Sequence, residues 1–391
     1  MLNKFIGFLC ISLTLAMFNE TIIVSDALKY GIYAILILFT LWLFGVSNKF
    51  GYYPLRNNVV LVLLFLLFLN FLLSPYEPNY SWLIKYVAYI FCFVFGELLY
   101  KQEVPMKVNK IILCTLAFLP VILVGLFDHT AHKNMFFVLS NTYSFTGLSI
   151  SLLVFTLKLD DKRALYYAFG VLALYIVSCS SLGIVGAVVL AVLIINRYNA
   201  KLMFWSTIGG IFFVILVLFS DIEVFKRIRD VIMVFQSMSM DDWRHVRDLD
   251  LYNLTEGMSF ESSRTDNTSL IWRVAQWLGI LQGYFENWYF AIPFGLGDSY
   301  ALRELGNYPH NDYIRILCEY GLIVFVIVMR CLKKVYKTMA RDASFYFICA
   351  YFIYFFTENI IDTFVANAIM FMCIGYHYTR CKNGDIRTLK I

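Results

Sequence analysis

The stretch YPHNDYIRILCEYG, Tyr308 to Gly321, collects an imidazole, an amide, two carboxylates and a guanidinium in one short segment. Pro309 precedes His310 and suits the first turn of a helix, where its missing N–H is not needed. The pattern predicts a helix opening near Pro309, with His310 at its N-terminal end, the positive end of its dipole. That end attracts anions such as phosphate, and a histidine beside it is placed to take a proton from a hydroxyl. Asn311 and Asp312 are close enough to orient the ring, and Asn311 is also a candidate substrate contact. Arg315 follows Asp312 by three residues and precedes Glu319 by four, so the three share one helical face. Two roles for Arg315 stay open: an internal ion pair that lets the helix carry polar groups, or a cation that receives an anionic headgroup.

A second guanidinium, Arg273, lies within TSLIWRVAQW. Leu270, Val274, Trp277, Leu278, Leu281 and Phe285 recur at spacings of three and four, which predicts a helix with Arg273 and Gln276 on its other face. A planar fork of donors suits phosphate better than a lysine does. The plainer alternative is an interfacial arginine that ties this helix to lipid phosphates. Lys85 lies one turn inside its own apolar run, where snorkelling accounts for it as well as substrate binding does. Other motifs carry little. DLD at Asp248 to Asp250 spells D-x-D without partner carboxylates, and GLGD from Gly295 lacks the strand and third glycine of a dinucleotide loop. The nine cysteines show no C-x-x-C spacing, which argues against a disulfide framework or a Cys/His zinc site.

The elements that must position these groups are apolar ones. Of 391 residues 60% are hydrophobic and 15% charged, against roughly 45–50% and ~25% in soluble domains. The chain reads as an all-α polytopic membrane protein, a single transmembrane domain over 1–391. A bilayer core of about 30 Å needs ~20 apolar residues as a helix. Spans fall at 5–18, 28–47, 57–74, 81–100, 110–127, 136–157, 163–179, 181–196, 201–220, 313–330, 343–358 and 361–379, about twelve transmembrane helices. The first is read as an uncleaved span, because no small-x-small cleavage site precedes Asn19 and Glu20. With both termini cytoplasmic, the inward segments hold nearly all the loop lysines and arginines, and the short outward connections hold only Lys29 and Lys133. Topology thus accounts for the net charge of +5 without nucleic acid. The exception is the long outward segment from 221 to 309, or to 312 with the helix entry counted. In it Val224, Phe225, Ile228, Val231, Ile232 and Phe235 predict an amphipathic helix at the membrane surface. The polar ESSRTDNTS and the arginine-tryptophan helix follow.

The order of TSLIWRVAQW, IPFGLG and PHNDYIRILCEYG after a long outer loop resembles the O-antigen polymerase and O-antigen ligase superfamily. The resemblance is strongest from Thr268 to Gly321; earlier it rests on topology. It implies a GT-C-like glycosyltransferase in a bacterial inner membrane, acting at the periplasmic face on undecaprenyl-diphosphate-linked glycans as donor and acceptor. It implies that Arg273 holds the diphosphate, that His310 is the base, and that transfer inverts the anomeric carbon. No cofactor or metal is needed if arginines neutralise the developing charge. Asp312 and Glu319 then support the site from behind. Many members carry a Ser-Arg pair where this chain reads Ser180-Ser181-Leu182, so Lys85, Arg264 or Arg315 is the expected substitute. That departure favours polymerase over ligase. A chain-length regulator and a flippase are the expected partners beside membrane lipid. A flippase role for the chain itself predicts charges deep in several spans and repeated halves, and neither is evident.

Overall fold

The structure is a computed structural model. It describes residues 2–18, 58–73, 80–101, 141–159, 161–179, 182–197, 199–219, 269–297, 299–305 and 309–386, with isolated positions at 27–45, 103, 114–118 and 236–239. The described residues are helical, with no strand among them. In chain order the helices are α1 Leu2–Phe18, α2 Asn58–Leu73, α3 Tyr80–Lys101, α4 Asn141–Leu157, α5 Ala164–Cys179, α6 Leu182–Ile195, α7 Ala200–Phe219, α8 Ser269–Glu286, α9 Trp288–Phe294, α10 Tyr300–Leu305, α11 Asp312–Met339, α12 Phe345–Tyr354 and α13 Phe364–Lys382. Among the described residues one helix, through Leu83–Lys101, is long and apolar enough to cross a membrane. Shorter apolar helices include Phe145–Leu157, Ala164–Ile176 and Gly183–Ile195. Most of the expected spans at 28–47 and 110–127, and the surface helix from Val224 to Phe235, lie outside the described residues.

The chain divides into two compact units, one made of Met1–Leu72, Glu77–Ile195 and Val326–Ile391, the other of Leu73–Tyr76 and Asn196–Phe325. In the first, α13 is the central element, buried along almost its whole length and packed on α3, α4 and α1. Gly96 and Gly375 let α3 and α13 meet backbone to backbone: a Cβ on Gly96 would fall 1.9 Å from the Met372 oxygen, and one on Gly375 1.9 Å from the Phe93 oxygen. Close contact of this kind is how helices associate where no hydrophobic force drives them together. Tyr89 stacks on Phe371 at 5.4 Å and donates to the Ile361 carbonyl at 2.8 Å.

Buried polar groups in this unit link helices far apart in sequence. Arg380 donates to Asp342, whose other oxygen accepts from the Ser344 hydroxyl and amide. The Asn367 amide donates to the carbonyls of Ile360 and Thr363, and its oxygen accepts from Tyr351 at 2.6 Å. The Thr156 hydroxyl gives its proton to the Leu152 carbonyl, so the 2.9 Å contact with His377 has Nε2–H of the ring as donor.

One expected element is split. The sequence pattern predicts an unbroken span over 313–330, but Gly321 has φ 81° and ψ 171° and interrupts α11. Residues 312–320 are therefore a short helix of their own, and the apolar run continues only after the break. This backbone region is essentially reserved for glycine.

Candidate functional site

The second unit holds Arg273, His310, Asn311, Asp312, Arg315 and Glu319 of the groups singled out in the sequence. Its core packs Ile280 and Tyr284 of α8 against Ala291, Leu296, Tyr300, Ala301 and Cys318. The buried stripe of α8 is therefore Gln276, Ile280, Gly283 and Tyr284, while Phe285 is 61% exposed. Sequence periodicity places these two the other way, with Gln276 outward and Phe285 inward, whereas Leu281 packs against the core as expected. Burial, with the Cys318 thiol beside it, pushes the Tyr284 hydroxyl up to about 12, so it stays protonated at neutral pH.

The indole N–H of Trp277 donates to the carbonyl of Pro309. That one bond fastens α8 to the segment that carries His310. Arg273 lies one turn before Trp277 on the same side of α8, about 5–6 Å away between Cβ atoms. The bond thus sets the Arg273 turn beside the His310 turn, and both side chains are half-buried. The sequence flagged Trp277 only as part of an apolar face. A lone tryptophan gives no sign of where its N–H points.

His310 is not inside a helix. Its φ is 47°, a left-handed conformation that is uncommon for a residue with a side chain. Pro309 stands before the helix rather than in its first turn, and α11 opens at Asp312. The cap is Asn311: its Oδ1 accepts from the amides of Tyr313 and Ile314, each at 3.1 Å. Two expectations change here. The first-turn amides that were expected to face an anion are taken by Asn311, and the Asn311 oxygen serves the helix rather than the His310 ring. His310 is displayed by a strained turn, a backbone device that clusters at functional sites.

Arg315 donates from Nε to Glu319 Oε2 at 3.0 Å, with both side chains 1% exposed. Of the two roles left open, the internal ion pair is the geometry seen. Asp312 is also fully buried at the start of the same helix. The carbonyls of Cys318 and Glu319, freed by the break at Gly321, accept from the amides of Leu296 and Gly297 at 2.7 and 3.1 Å. IPFGLG is thus bonded to the end of the short helix that follows His310. Gly295 makes this possible, with φ 79° and ψ 173° and the Gly321 nitrogen 2.6 Å from where its Cβ would be.

Lys85 belongs to the first unit. It is buried in α3 with Nζ 5.2 Å from the centre of the Tyr33 ring, a cation–π distance. Arg264, Ser180 and Ser181 lie outside the described residues, as does the D-x-D at Asp248 to Asp250.

No family model, curated protein or solved structure matches the chain. What the arrangement can do follows from its groups. A half-buried guanidinium can neutralise a phosphate, and a half-buried imidazole one element away can take a proton from a hydroxyl.

Proposed function

We propose that the chain is a membrane glycosyltransferase of the O-antigen polymerase type. It would lie in a bacterial inner membrane as about twelve spans, with its site on the periplasmic side. It would join undecaprenyl-diphosphate-linked repeat units. Arg273 binds the donor diphosphate with its fork of N–H groups. His310 removes the proton from an acceptor hydroxyl, and that oxygen attacks the anomeric carbon. The bond from that carbon to the phosphate oxygen breaks, and the polyprenyl diphosphate leaves with the electron pair, steadied by Arg273.

The observation that carries this reading is the Trp277–Pro309 hydrogen bond, which fastens the helix of Arg273 to the segment of His310, two half-buried polar groups with complementary roles. The left-handed backbone at His310 adds support. The decisive experiment supplies purified protein with lipid-linked repeats and follows longer products. His310→Ala should lower elongation by about 10²-fold or more, the usual contribution of a general base, with the protein still inserted. Full activity of that variant removes the base. In a strain lacking the protein, lipopolysaccharide bearing a single repeat is expected. Bare core with accumulated lipid-linked polymer would make the chain a ligase instead.

A further inference from the structure

Two amide side chains at the junction of α8 and α11 have ends with no hydrogen-bond partner among the described residues. Asn311 is 0% exposed, and its Oδ1 must be the acceptor for two backbone amides, which fixes its Nδ2 as a donor pointing away from the helix. That Nδ2 has no hydrogen-bond partner among the described residues. Gln276 is 8% exposed, and its Oε1 likewise lacks one. Buried polar atoms are nearly always satisfied, so an orphaned donor and an orphaned acceptor at one junction call for an explanation. Gln276 is next to Trp277, Asn311 is two residues past Pro309, and Trp277 is bonded to Pro309. The two amides therefore come from residues that flank the same contact, and neither bonds the other.

We infer that Gln276 Oε1 and Asn311 Nδ2 bind one hydroxyl of the acceptor sugar and thereby select which neighbouring hydroxyl meets His310. A sugar hydroxyl both donates and accepts, and so satisfies both orphans at once. Asn311 is bonded directly to His310 in the chain, so a hydroxyl held there places the adjoining one beside the imidazole. The pair determines acceptor specificity and the position at which the new linkage forms. The inference rests on His310 acting as the base.

Two variants isolate the effect. Asn311→Asp keeps the capping oxygen, and aspartate caps as well as asparagine, but it turns the donor into an acceptor. Gln276→Met keeps the length and removes an unpartnered buried oxygen, so its thermal stability should match or exceed wild type. The probes are mono-deoxy acceptor repeats, one hydroxyl removed at a time. Wild type should reject one of them by about 100-fold, since a site built for a hydroxyl discriminates strongly against its loss. Each variant should lose about 10-fold on the complete acceptor and lose nothing further on that deoxy acceptor. Losses that multiply, or a wild type indifferent to every deoxy acceptor, overturn the inference while leaving the polymerase standing. A wild type that elongates no lipid-linked repeat overturns both.

Discussion

Two pairs of glycines bring backbones into contact, one in each unit, and they work differently. Gly96 and Gly375 are helical, and what they lack is simply a methyl group's width between α3 and α13. Alanine there would even favour the helix by up to about 1 kcal/mol, were it not for the neighbouring backbone. Gly295 and Gly321 combine the same crowding with backbone angles that other residues avoid. The first junction can relieve an intruding side chain by moving two helices apart. The second has no such outlet, because Gly321 ends the helix that Asn311 begins, and the carbonyls just before it hold Leu296 and Gly297. The comparison separates glycines that set packing from glycines that set the shape of a site.

The largest effect should come from filling the packing junction. Gly375→Leu is expected to cost about 3 kcal/mol, the upper end for overpacking, because a whole isobutyl group meets backbone there, read as loss of monodisperse protein in detergent. The protein that does fold should keep its elongation rate per molecule. Gly321→Ala should cost about 1–3 kcal/mol in strain, a smaller loss of folded protein, but should lower elongation more than tenfold. Should Gly321→Ala remain fully active, the contrast between the two junctions fails. The smallest effect belongs to Trp277→Phe, which removes one hydrogen bond to Pro309 and about 1 kcal/mol. Elongation should fall severalfold with little change in the melting temperature. An unchanged rate would mean that the register between α8 and His310 is set by something else.

Much of this architecture was legible in the residues. Apolar length located most helices to within a few positions, as at Asn58–Leu73 and Ala200–Phe219, and the spacing of Arg315 and Glu319 announced their pair. The break in α11 was not foreseen, although the glycine after CEY is a common way to end a helix. An apolar run on the far side of Gly321 masked that signal. On α8 the places of Gln276 and Phe285 were exchanged, because periodicity reports which residues share a side but says nothing of what surrounds the helix. The cap was also missed: HND offers three polar residues in a row, and the bonds accepted by Asn311, with the backbone angle at His310, show that Asn311 is the one that caps.

The meeting of Gly295 and Gly321 has an evolutionary consequence. Each occupies the volume where the other's side chain would grow, so neither position can drift alone. Among descendants of this chain the two should persist or disappear as a couple, and a lineage that abandons them must rebuild the turn that carries the histidine.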